Sequence, residues 1–497
     1  MLKRSKLFFI ILIAAVFGSL ATFFIIKSKH TVAVPITLFP LENYSQNIDR
    51  WIDPSDLNYD KILIPPTEQK KHVKNLYNHL YATGEGALSP WNKKFVEKRL
   101  DEDETDPLEK RVTKEKLIEK FGDVCDQDGK CKDRKKIGYG ANFRPYDESW
   151  LNNVIRNMNL EQFILPAKFS SKNRGIAVKN IMARSLPSND PYFWHFSLPG
   201  EGYPFDNIQA SSIWVGTPIY IIGKTLDHKW SLILTPSYLA WVESDGIASV
   251  NEDFIKKWQT YAKQNMAAIN KTNVSVFDTN DQYRFNAYIG TMFPVKSFDE
   301  GSISVLIPVA DDFHNARIFD AKISKDNANI MPLPPTPRNF AKIISSLKGR
   351  PYGWGNMYFY NDCSAELKNL YTPFGIYLPR NSSRQAKSME NKMIDLSKFS
   401  VKDRLKYLRE NGKKFITVIF IGGHVMMYIG NFPSTKENEP MVMTYQNIWG
   451  LAPKDRSYRS IIGQSVFFPL LETYPENTQL NSLADKRLFQ IFNLDEL

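Results

Sequence analysis

The pentad Asn361-Asp362-Cys363-Ser364-Ala365 opens a stretch with helical spacing: Leu367, Leu370 and Tyr371 recur behind it, and Pro373 closes the run. It holds one of only three cysteines in the chain. A cysteine in the first turn of a helix feels the positive end of the macrodipole, which favours the thiolate, the nucleophilic form. Such a nucleophile needs a base from elsewhere, and the base needs a third group to fix its tautomer. Gly422-Gly423-His424-Val425-Met426-Met427-Tyr428 supplies the base candidate. It reads as a glycine turn entering a strand, with His424, Met426 and Tyr428 on one face. The next strand, Met441-Val442-Met443-Thr444-Tyr445-Gln446, ends on an amide that antiparallel pairing would bring beside His424. The expected set is Cys363 as nucleophile, His424 as base and Gln446 as orienting residue. A helix over 340–347, a second from Cys363, then strands over 415–421, 425–429 and 441–445 make an α+β pattern.

Upstream, Met331-Pro332-Leu333-Pro334-Pro335-Thr336-Pro337 marks a boundary, because clustered prolines favour an extended, stiff connector. From Arg174 onward the chain alternates in short runs, such as Trp230-Ser231-Leu232-Ile233-Leu234 and Leu239-Ala240-Trp241-Val242, separated by turn residues. That cadence predicts a small β-barrel, and a second set from Asn273 to Ala321 predicts another. Trp214, Trp230 and Trp241 are expected in the core. Residues 32–163 read as mixed and largely helical, with a densely charged, solvated stretch over 93–136.

A chain of 497 residues implies three or four domains. Its 43% apolar and 24% charged residues fit globular structure. The net charge of +11 fits solubility and attraction to anionic surroundings. No zinc-finger spacing or aromatic nucleic-acid signature accompanies it, so nucleic acid is not an expected partner. The N-terminus is basic (Lys3, Arg4, Lys6), and an apolar run follows over 7–26. That is about 20 residues, enough to span a bilayer as a helix. An uncleaved anchor in the inner membrane is expected, facing the periplasm or cell wall, with cleaved secretion as the alternative. Export lets Cys125 and Cys131 close a small disulfide loop and leaves Cys363 unpaired.

The final domain resembles the NlpC-type cell-wall cysteine peptidases over roughly residues 339–470. The likeness rests on Arg350-Pro351-Tyr352-Gly353-Trp354-Gly355, Asp362-Cys363-Ser364, Leu378-Pro379-Arg380-Asn381-Ser382-Ser383-Arg384-Gln385-Ala386, Gly423-His424, Gln446 and Asn447-Ile448-Trp449-Gly450. The strand-rich region resembles bacterial SH3-like domains through Ala240-Trp241-Val242, Arg184-Ser185-Leu186-Pro187 and Gly202-Tyr203-Pro204-Phe205-Asp206. The resemblance implies an α+β fold with a papain-like catalytic domain, preceded by two small SH3-like β-barrels and a mostly helical N-terminal segment. The implied divisions are 1–30 (anchor or signal), 31–165 (stabilising segment), 166–262 and 263–330 (SH3-like domains), 331–338 (linker), 339–475 (peptidase) and 476–497 (tail).

The resemblance also implies peptidoglycan stem peptides as substrate, cut between γ-linked D-glutamate and the diamino acid, with no metal or organic cofactor. Tyr352 would join the Cys363 N–H as oxyanion donor, and Asp362 and Ser364 would shape the cleft. Relatives often carry Gly where Ala365 and Asn356 stand, and often His where Gln446 stands. Some carry an acidic residue in place of Asn381 that grips the free amine of a trimmed stem; Asn381 cannot form that ion pair. Two other readings remain: a wall-binding protein without activity, or a thiol acyl hydrolase or transferase acting on a non-wall substrate.

Overall fold

The computed structural model describes residues 36–101, 113–122, 137–163, 169–196, 198, 202–433 and 439–497. The expected Cys125–Cys131 disulfide and the basic, apolar N-terminus lie outside these residues. No helix among the described residues is long and apolar enough to cross a membrane. The expectations of a transmembrane anchor, a membrane partner and an inner-membrane location are corrected accordingly. The Pro66–Leu80 helix reaches only 15 residues and is amphipathic, packing one face on the protein.

The chain folds as a helical N-terminal region, two β-rich domains and an α+β catalytic domain. In the first β domain, strands run in the order Gln209–Ile213, Ile181–Arg184, Leu239–Glu243, Trp230–Leu234, Pro218–Lys224, Arg174–Ala177 and Ile247–Ser249. Trp214, Trp230 and Trp241 are all buried. Arg184 and Asp206, from two of the three motifs quoted for this region, form a buried ion pair at 2.9 Å. Asp206 also accepts the Tyr192 and Ile208 N–H groups, so its charge is compensated where burial would otherwise be costly. The Glu252–Gln264 helix, capped by Asn251, drives Phe254, Ile255 and Trp258 into the core of the second β domain. That domain's main sheet runs Ala316–Ser324, Ser302–Ala310, Met292–Phe298, Met266–Ile269, Ala328–Ile330.

The proline-rich segment is packed rather than free. Met331 and Leu333 are buried, and the Gln69 amide donates to the Leu333 carbonyl at 2.7 Å. Thr336 then caps the Pro337–Leu347 helix. The catalytic sheet has seven strands in the order Ile36–Leu38, Arg459–Leu470, Met441–Leu451, Val425–Phe432, Thr417–Phe420, Gln490–Asn493 and Ile394–Asp395. Residues expected as a tail therefore supply an interior strand, Gln490–Asn493. The N-terminal region adds Ile36–Leu38 in parallel at the far edge. The Cys363–Tyr371 helix lies against this sheet, with Leu367, Leu370 and Tyr371 in the shared core.

Candidate active site

Cys363 is the first residue of its helix because Asp362 caps it: the Asp362 carboxylate accepts the Ala365 N–H at 2.9 Å. The helix start faces the Gly422–Gly423 turn. Both glycines have positive φ, +73° and +86°, which a side chain would resist. The turn brings the sheet to the sulfur, and Cys363 Sγ lies 3.9 Å from the Gly423 carbonyl oxygen, one residue before His424.

A relay fixes His424. Thr444 Oγ1 donates to the Phe468 carbonyl at 2.6 Å, and the Gln446 amide nitrogen donates to Thr444 Oγ1 at 2.8 Å. The Gln446 oxygen is thereby turned toward the imidazole and sits 2.7 Å from His424 Nε2. Because an amide oxygen only accepts, Nε2 carries the proton and the Nδ1 lone pair is left to act as base. Gln446 thus holds His424 directly, and Cys363 approaches the same turn through the Gly423 carbonyl, the residue before His424.

The charge state differs from the sequence-based expectation. Burial, followed by the Asp362 carboxylate, pushes the Cys363 thiol up to about 12, against the pull of the Val425 and Ser364 N–H groups and Arg380. A macrodipole contributes about 0.3–2 kcal/mol, whereas burial shifts a group by up to about 3–5 pK units. Desolvation wins, and the expected resting thiolate is corrected to a thiol. His424 is half-buried, and desolvation lowers it to about 4, helped by the Lys486 charge and opposed by its bond to Gln446. The resting pair is thiol and neutral imidazole.

Asp362 and Ser364 turn inward. Arg380 grips Asp362 with two nitrogens, at 2.7 and 3.0 Å, and donates to Ser364 Oγ at 3.0 Å. Burial opposes ionisation of Asp362, but the guanidinium overrides it and holds the carboxyl below its usual range. Arg380 Nε also donates to Ser211 Oγ of the first β domain at 2.6 Å. Asn381 is exposed and caps the Ser382–Lys387 helix through the Arg384 N–H. Tyr352 is kept a neutral hydroxyl by burial and by the negative charge of Asp362. Its ring belongs to an aromatic wall with Trp449, and Phe205 of the first β domain packs on Trp354 and Trp449 at 5.2 and 5.1 Å.

The wall's base is a left-handed turn. Gly355 has φ +59°, and a Cβ there would sit 2.6 Å from the Gln209 carbonyl oxygen. Asn356, also at φ +59°, is a residue type that tolerates this region. Its amide donates to Asn361 Oδ1 at 3.0 Å, and its carbonyl accepts from Ser212 at 2.9 Å. Sequence reasoning missed Arg380, Ser211, Phe205 and Thr444 as site residues. Arg380 and Phe205 stood inside quoted motifs, but no local signal gave their partners.

The family description "SH3 domain (SH3b1 type)" matches residues 191–243, and "SH3 domain of SH3b2 type" matches 251–300. A solved NlpC/P60 endopeptidase from Photobacterium damselae subsp. piscicida is similar over 93% of this chain and 99% of its own, at 26% identity and a TM-score of 0.73. An NlpC/P60 family protein from Bacillus cereus is similar over 62% of this chain and 98% of its own, at 16% identity and a TM-score of 0.41. No curated protein matches the chain. The chain has a helical N-terminal region, two SH3-like domains and an NlpC/P60-like catalytic domain.

Proposed function

We propose that this chain, with its NlpC/P60-like catalytic domain, is a peptidoglycan hydrolase: a cysteine endopeptidase that cuts stem peptides between γ-linked D-glutamate and the diamino acid. The observation that carries the reading is a helix-start cysteine 3.9 Å from the carbonyl of the residue before a histidine whose Nε2 is held by Gln446 at 2.7 Å. A base with a fixed tautomer beside a thiol is the arrangement acyl transfer needs.

In this reading Nδ1 of His424 takes the thiol proton as Cys363 Sγ attacks the scissile carbonyl. The oxyanion meets the Cys363 N–H and the Tyr352 hydroxyl. The imidazolium then protonates the departing amine, leaving a thioester. Water, deprotonated by Nδ1, attacks the thioester, and the new carboxylate leaves as the thiol is restored. Because the resting pair is uncharged, charge separation arises during attack rather than before it. Incubating isolated peptidoglycan with the protein should release muropeptides with new free amines. The Cys363→Ala chain should release none; equal release by both chains would sink the assignment of the nucleophile.

A further inference from the structure

Beside the Gly422 turn lies an open pocket of about 720 Å³, built from the loop after the Met441–Leu451 strand and the segment before Gln490–Asn493. Among the described residues lining it, the cations are Lys454, Arg456, Arg459, Lys486 and Arg487, and Asp485 is the one carboxylate. Asp485 is engaged by Lys454 at 3.6 Å. Asn481, also in the lining, has a buried amide oxygen without a hydrogen bond. Lys486 is half-buried, and desolvation together with Arg459 and Arg456 lowers its pKa. Like charges held this close repel one another, and a bound anion relieves that repulsion.

The position of the pocket says which anion. If His424 is the acid that protonates the departing amine, the leaving half of the peptide must pass on the His424 side of the sulfur. The pocket adjoins the turn that carries this histidine: Gly422, two residues before His424, lines it, and the Lys486 charge acts on the imidazole. The leaving half of a stem peptide begins with a diamino acid and carries carboxylates there or at its C-terminus.

We propose that this basic pocket is the subsite for the leaving half and that it selects peptides whose leaving half bears free carboxylates. The proposal rests on the hydrolase reading above and adds the substrate class. Arg and Lys donors bind carboxylates through charge-assisted hydrogen bonds. Its loss by amidation of the peptide therefore has a readable effect.

The test uses two synthetic stem peptides that differ only in whether the leaving-half carboxylates are free or amidated. The full chain should cut the acid form with a kcat/KM about ten-fold higher. Arg456→Gln with Arg487→Gln, both at exposed positions, should bring that ratio toward one. The same charge change at exposed Lys256 and Lys257, on the second SH3-like domain's helix, should leave the ratio as it was. Calorimetry with the Cys363→Ala chain gives a second, activity-independent readout. It should bind the acid peptide more tightly than the amide at low salt and lose the difference at high salt. Equal cleavage and equal binding of the two peptides would overturn the proposal and leave the hydrolase intact. Failure to cut either peptide or isolated wall would sink the hydrolase reading, and the binding preference would still decide whether the pocket holds carboxylates.

Discussion

The two SH3-like domains are built from similar short strands, yet they stand in different relations to the active site. The first enters it. Phe205 completes the aromatic wall, Ser211 holds Arg380, and Gln209 and Ser212 hold the Gly355–Asn356 turn. The second touches the catalytic helix where Gly290 packs on Asn369, and it meets the first domain where Tyr288 stacks with Trp214. Similar folds therefore carry different duties, decided by a few residues at the interface rather than by the strands themselves.

Breaking the first domain's grip should show the largest effect. Arg380→Met removes one half of a buried ion pair and strands the Asp362 carboxylate, a change that costs about 3–5 kcal/mol. Chemical denaturation should report that loss, together with a large fall in turnover. A variant as stable and active as the parent would remove Arg380 from the account.

Gln446→Leu keeps the packing but frees the imidazole to rotate and take either tautomer. We expect kcat to drop by on the order of 100-fold, within the range for general acid–base contributions, with KM little changed. A change confined to KM would contradict the orienting role.

Paired phenylalanines sharpen the comparison directly. Phe205→Leu in the first domain weakens two aromatic contacts, each about 0.5–1.5 kcal/mol, and should raise KM several-fold. Phe298→Leu on the exposed edge of the second domain should leave kinetics untouched. Equal effects would erase the distinction between the domains.

The pH profile gives the smallest signal. In the proposed mechanism His424 must be neutral to accept the thiol proton, and its pKa is lowered to about 4. Activity should stay full well below pH 6.5 and fall as pH drops through about 4. Stability follows the same residue. Between the ordinary histidine value and about 4 the unfolded chain binds a proton that the folded site refuses, so this contribution to stability falls as pH falls through that window. An acid limb near 6.5 would mean that the ring is better solvated than its burial implies.

Much of the site was legible because its pieces are local. A cysteine at a helix start, a Gly-Gly-His turn and a strand ending in Gln446 each announce themselves within a few residues. The relation of Arg380 to Asp362, and of Phe205 to Trp449, is long-range and leaves no such trace. The 490–493 strand looked like a tail because four residues carry too little periodicity to identify a strand. The resting thiolate was misjudged for a different reason: sequence shows the helix dipole but not the burial that outweighs it. An apolar run near the N-terminus implied a membrane span, whereas no described helix has the length and apolarity to cross a bilayer.

The central claim is that Cys363 transfers an acyl group from one defined bond to water. It is tested most directly by digesting a purified stem peptide in ¹⁸O-labelled water and weighing both products. The account predicts a single ¹⁸O in the new carboxyl group of the D-glutamyl fragment and a free, unlabelled amine on the diamino acid fragment. Cleavage at another bond, or a glutamyl fragment without the label, would contradict it.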